Sequence, residues 1–146
     1  MHDIPIHLRP ATPDDHAFIY SSWLKSYKTS GDWPRLTRGE DYFPTWQVVV
    51  TRLLDSATTL VAVDPEEHAS IFGWICYDQP ASAPPRLHFA YVLKDWRHRH
   101  VFRRLMDAAG LVRDGVVATH WTYDLGSLRA AGWNLRYLPL GIMEAA

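Results

Sequence analysis

Trp96-Arg97-His98-Arg99-His100 gathers cationic and titratable side chains directly ahead of a run with helical periodicity, Val101, Leu105, Ala108, Ala109 and Val112. A helix N-terminus carries unpaired backbone N–H groups and a partial positive charge, so this junction suits a phosphate-bearing ligand. Arg103 adds a guanidinium within the first turn, a group that stays ionised and can grip phosphate through two N–H groups. Two histidines stand apart from this cluster. His88 and His120 lie in strand-like runs, where an imidazole is either a hydrogen-bonded structural group or a base working near neutral pH.

The elements that must position these groups can be read outward from the turn. Leu87 to Leu93 is rich in aromatic and branched residues, which predicts a buried central strand. The helix that follows should end at Gly110 or Gly115, and Val116 to Thr122 reads as the next strand. A helical crossover between them predicts that the two strands run parallel and side by side.

Earlier in the chain, Ile4 to Arg9 reads as a first strand closed by Pro10. Thr12-Pro13-Asp14-Asp15 opens a helix with Ile19, Trp23 and Tyr27 on one face, running to about Lys28. Thr29 to Thr37 reads as a loop, and a second helix is expected from Phe43 or Thr45 to Leu54. Thr58 to Asp64 and Ile71 to Tyr77 form a predicted hairpin around Pro65 to Ser70, followed by a proline-rich loop, Asp78 to Pro85. After the central unit come a short helix, Asp124 to Ala131, and strand material from Asn134 to Met143. The order of elements predicts an α/β fold: a mixed, mostly antiparallel sheet of six or seven strands flanked by about four helices.

Composition narrows the class. With 146 residues, 47% hydrophobic and 13% aromatic, the chain is long enough for one well-buried core and too short for two, so 1–146 is read as a single domain. A formal charge of −1 gives no general attraction for nucleic acid or anionic membrane; only Arg97, Arg99, Arg103 and Arg104 form a basic patch. Clustered arginines on a helix more often form a solvated face. No apolar run reaches membrane-spanning length, and the N-terminus has no leader-like segment. The single cysteine, Cys76, excludes an internal disulfide and suits a reducing compartment, so a cytoplasmic protein is expected. Eight histidines lack the spacing of a zinc site, and no metal is expected; His2, His16 and His68 read as solvated.

The stretch from Val92 through Arg97 into the helix resembles the acetyl-CoA-binding segment of the GNAT N-acetyltransferases, where a strand ending in Val leads into Arg/Gln-x-x-Gly-x-Gly/Ala. The opening phrase Leu8-Arg9-Pro10-Ala11-Thr12-Pro13-Asp14-Asp15 is similar to the start of many chains of that family, and Gly132-Trp133 stands where they often carry Gly-Phe. Small GNAT-like proteins encoded among phage structural genes have a similar look. Here His100 and Phe102 replace the motif's two small residues.

The resemblance implies acetyl transfer from acetyl-CoA, a co-substrate, to an amine on a small molecule or protein; a homodimer is compatible with it. It assigns CoA contact to Tyr91, Val92, Arg97, His98, Arg99, His100, Val101, Phe102 and Arg103. His88, four residues before Val92 and on the same face by the strand period, resembles the histidine that assists amine deprotonation in the serotonin N-acetyltransferase branch. Tyr123 is the candidate acid for the departing thiolate; the family's usual tyrosine position is occupied by Leu128. Trp33, Asp41, Tyr42 and Trp46 could shape the acceptor site, although core or rim packing is the stronger reading of each aromatic taken singly. The alternative is a GNAT-like binding or structural protein that has lost CoA.

Overall fold

The computed structural model describes residues 5–139. Six strands form one sheet in the order β1-β2-β3-β4-β5-β6. These are β1 His7–Pro10, β2 Thr58–Asp64, β3 Glu67–Asp78, β4 Arg86–Val92, β5 Val116–Ala118 and β6 Leu135–Tyr137. The pairs β1–β2, β2–β3 and β3–β4 are antiparallel, whereas β4–β5 and β5–β6 are parallel. Four helices complete the fold: α1 His16–Ser30, α2 Gly39–Ser56, α3 Val101–Ala108 and α4 Tyr123–Ala130.

Alternation along the strands makes two cores, one on each sheet face. Trp74, Cys76 and Phe89 pack with Ile19, Trp23 and Tyr27 of α1 and Val50 and Leu53 of α2. Ile75 and Leu87 pack on the opposite face with Val101, Leu105 and Met106 of α3 and Leu125 of α4. Gly73 lets α3 approach: a Cβ there would lie 2.7 Å from the Tyr91 carbonyl and 3.3 Å from Val101 Cγ1. α3 ends at Gly110, in left-handed backbone at φ 72°, with the Leu111 amide returning to the Met106 carbonyl at 3.0 Å.

Several boundaries move from their expected places for local reasons. α2 starts at Gly39 and carries Pro44 inside it, because buried Tyr42 anchors its first turn by donating its hydroxyl to the Leu24 carbonyl at 2.8 Å. The hairpin turn shrinks to Pro65-Glu66, with Asp64 Oδ1 accepting the Glu66 amide, so β3 reaches back to Glu67. β1 spans His7–Pro10; the predicted start at Ile4 and His2 lie outside the described residues, as do Gly141 and Met143. β5 stops at Ala118 instead of Thr122. The phrase at the N-terminus also gains a physical meaning: Arg9 grips Asp15 through Nη1 at 2.7 Å and Nη2 at 3.0 Å, tying β1 to the start of α1.

Candidate active site

β4 carries one residue too many. Cys76 pairs with Phe89 and Tyr77 with Leu87, so His88 is a bulge residue with no partner on β3. Phe89 to Val92 pair with β3 in regular register, so the break in alternation falls at His88 and affects the strand before it. The parallel pairing of β4 with β5 stops at the same level, at Leu87 and Ala118, and the Thr119 amide makes the next bond to the Leu87 carbonyl at 3.0 Å. Beyond that bond the strands part.

A cavity of about 500 Å3 fills the gap. Its walls are the end of β4, including His88, Tyr91 and Val92, and the segment after β5 with His120, Thr122, Asp124 and Leu128. The turn before α3 closes one end through Arg97, His98, His100, Val101, Phe102 and Arg103. In that turn His98 and His100 take left-handed backbone at φ 62° and 66°, a conformation normally left to glycine although histidine is among the residues that enter it more often. Val101, Phe102 and Arg103 are the first residues of α3, and their amides have no acceptor within the helix.

Two of the lining histidines, His88 and His120, belong to a continuous polar chain that runs behind the wall. Trp46 Nε1 lies 3.1 Å from His120 Nε2, His120 Nδ1 lies 3.0 Å from Thr119 Oγ1, and Thr119 Oγ1 lies 2.9 Å from His88 Nδ1. His88 Nε2 lies 2.7 Å from Asp78 Oδ2. An indole nitrogen only donates, so Trp46 makes His120 Nε2 an acceptor and leaves the proton of the neutral ring on Nδ1. His120 then donates to Thr119, the Thr119 hydroxyl donates to His88 Nδ1, and His88 donates from Nε2 to the carboxylate. Burial pushes the pKa of His88 below its ordinary 6.5, opposed by Asp78. Burial, with His88 nearby, holds His120 well below the same value, so both rings are neutral at pH 7.

No protein-family model and no curated protein sequence matches the chain. Solved structures do. An acetyltransferase from Corynebacterium glutamicum, described as histone acetyltransferase HPA2 and related, superposes at a TM-score of 0.61 and 15% identity, over 88% of this chain and 83% of that one. A GCN5-related N-acetyltransferase from Rhodopseudomonas palustris gives 0.52 and 21% over 75% of this chain, which spans 66% of that protein's length. The glucosamine N-acetyltransferase region of a fungal multi-domain β-N-acetylglucosaminidase gives 0.54 and 17% over 76% of this chain and 12% of that one. The fold is that of the GNAT acetyltransferases.

Within this GNAT fold, the residues expected to meet CoA divide in two. Tyr91, Val92, Arg97, His98, His100, Val101, Phe102 and Arg103 all line the cavity. Arg99 is not among the lining residues; it points its guanidinium at the Trp96 ring, 5.6 Å from the centroid. Arg97 is partly committed, its Nε donating to the Val92 carbonyl at 2.9 Å. His88 lines the cavity but is wholly buried, with both ring nitrogens engaged. Tyr123 is 54% exposed at the start of α4 under the Arg35 guanidinium and is not among the lining residues, whereas Leu128 is.

Trp33, Tyr42 and Trp46 form one aromatic cluster, with Trp33 and Trp46 centroids 5.0 Å apart. The linkage of Thr119, Asp78 and Trp46 to the two histidines is absent from the sequence reading. Its only sequence signal was a histidine in each of two strands expected to be parallel neighbours. Among the described residues no cluster of three or more His, Cys, Asp or Glu side chains is placed to hold a metal ion, and no helix is long and apolar enough to cross a membrane.

Proposed function

We propose that the protein is a GNAT-type acyltransferase that moves an acetyl group from acetyl-CoA to an amine on a small molecule or protein. The observation that carries this reading is the parting of β4 from β5 beyond the Leu87–Thr119 bond, with a cavity between them that reaches the start of α3. Acetyl-CoA fits the chemistry of that lining. Tyr91, Val92, Val101 and Phe102 offer an apolar wall for a pantetheine-like arm, while the free amides of α3 and the side chains of Arg97 and Arg103 offer charge for a pyrophosphate. Bound there, the thioester supplies the acetyl group, and its sulfur is the leaving atom.

The chain's own residues would exclude water, hold the reacting carbonyl between the parted strands and keep the amine neutral for attack. His88 is the candidate base and, with both ring nitrogens engaged, would take the amine's proton by relay through Thr119, with Asp78 behind it. Tyr123 would reach a leaving sulfur only after moving from its place under Arg35, so solvent at the cavity mouth is the simpler proton source. A reducing, cytoplasmic setting suits free, buried Cys76.

A second reading is favoured by His100 and Phe102, whose side chains line the cavity where the family motif has small residues. On that reading the protein is a GNAT-like binding or structural component, phage-encoded as its resemblance implies, without turnover. The test is release of free CoA thiol from acetyl-CoA over a panel of aryl, alkyl and polycationic amines and lysine peptides. Amine-dependent thiol release supports the enzyme. Acetyl-CoA that stays intact with every amine, while the protein remains folded, supports the second reading.

A further inference from the structure

Amide formation from an ammonium group releases a proton, and an ordered chain able to take it meets the cavity at His120 and His88. We infer that Trp46, His120, Thr119, His88 and Asp78 form a directional proton path, with His120 Nε2 as the entry atom, Trp46 as its cap and Asp78 as the terminus. This role rests on the acyltransferase reading. The direction follows from the donor-only indole, because each successive group then has one hydrogen pointing toward Asp78 and one lone pair facing back toward Trp46.

The two ends differ in the way a path requires. His88, Thr119 and His120 are at most 1% exposed, while the Asp78 side chain is 19% exposed and can return a proton to water. At the other end Trp46 is half-buried on α2, packed against Trp33, which is 38% exposed, so the cap sits at the rim of the fold. His120 lines the cavity, and an ammonium N–H can replace the indole N–H donor for donor.

The proton then leaves nitrogen for His120 Nε2. The Nδ1 proton of His120 passes to Thr119, the hydroxyl proton to His88 Nδ1, and the Nε2 proton of His88 to Asp78, which becomes a carboxylic acid. The neutral amine attacks the acetyl carbon, the C–N bond forms and the C–S bond breaks, and the second nitrogen proton goes to sulfur. Charges facing this path are Asp78 from β3 and Arg86 from β4, with Tyr27 of α1 packed edge-to-face against His120 and Asp124 of α4 also lining the cavity. Burial disfavours a resting cation on either ring, and Arg86 adds to this at His88, so a proton would move through to the carboxylate without lodging midway.

Two measurements test this. Long-range 1H–15N spectra of the histidines at pH 7 should show His120 as the Nδ1–H tautomer and His88 as the Nε2–H tautomer, with Trp46→Phe releasing His120 into a mixture. Finding His120 as the Nε2–H tautomer in the unaltered protein overturns the polarity. In the thiol-release assay, Thr119→Val keeps the shape but cuts the path, and should lower kcat about 100-fold with little change in KM and a shifted pH profile; Thr119→Ser should restore most of it. A Thr119→Val enzyme with normal kcat and pH profile overturns the path alone. Absence of amine-dependent turnover in the unaltered protein overturns the acyltransferase reading and this role with it, while the tautomers still report the polarity.

Discussion

The Thr119 amide donates to the Leu87 carbonyl at 3.0 Å, and no β4–β5 pairing continues past this level. The two strands therefore diverge within one residue of the His88 bulge, and the cavity opens where both histidines stand. Leu128 faces that space from α4 with an apolar side chain where the family resemblance implies a tyrosine. Leu128→Tyr should place a hydroxyl in the cavity and raise kcat for thiol release several-fold, since a positioned proton donor contributes about 100-fold or more when fully optimised. A fall in kcat with unchanged thermal stability would count against that placement.

Neutral, buried His88 and His120 make stability depend on pH. Both folded-state pKa values lie below 6.5, so the unfolded chain takes up protons first as pH falls, and stability present above that value is lost below it. Tm should therefore drop between about pH 6.5 and 5, where few carboxylates titrate. His88→Asn, which removes one titrating group, should flatten the slope. A Tm independent of pH over this range in the unaltered protein contradicts the neutral assignment.

Arg9 and Asp15 make a separate electrostatic device. The Arg9 guanidinium, aided by the Thr12 amide at 2.7 Å, holds the Asp15 carboxyl below its ordinary value of 3.8. Asp15→Asn should cost about 2 kcal/mol, as expected for hydrogen bonds to a charged group that is largely shielded from water. The direction with pH is opposite in origin but equal in sense: this contribution is present above about pH 4 and fades as the carboxylate is protonated. Chemical denaturation at pH 7 and at pH 3 reads it, and the difference between Asp15→Asn and the unaltered protein should shrink at the lower pH.

His100 holds φ at 66° where glycine would be unstrained. Relief of roughly 1–2 kcal/mol of left-handed strain, less about 0.5–1 kcal/mol for the freer unfolded chain, makes His100→Gly neutral to mildly stabilising. The same substitution removes bulk from the cavity wall and should tighten acetyl-CoA binding. A loss of several degrees in Tm would show that the imidazole makes a stabilising contact.

Much of the fold was legible because its signals are local and periodic. Ile19, Trp23 and Tyr27 at helical spacing are all buried, and the β4–α3–β5 crossover produces the expected parallel pair. The boundaries that moved depend on contacts distant in sequence, such as Tyr42 reaching Leu24, which keeps α2 helical through Pro44. The bulge at His88 leaves no mark in residue type, since it is a property of pairing with β3. For the same reason the chain from Trp46 to Asp78 was hidden: its members come from α2, β3, β4 and the segment after β5. The turn before α3 was found from composition alone, but the separation of Arg97 and Arg103 from Arg99 required the direction of each side chain.

The central claim is that the cavity between β4 and β5 receives acetyl-CoA, and calorimetric titration with acetyl-CoA tests it most directly. Micromolar binding is expected, weakened most by Arg103→Ala, also by Arg97→Ala, and least by Arg99→Ala, whose side chain turns toward Trp96 instead of the cavity. No heat at millimolar acetyl-CoA, from protein that unfolds cooperatively, would contradict the account.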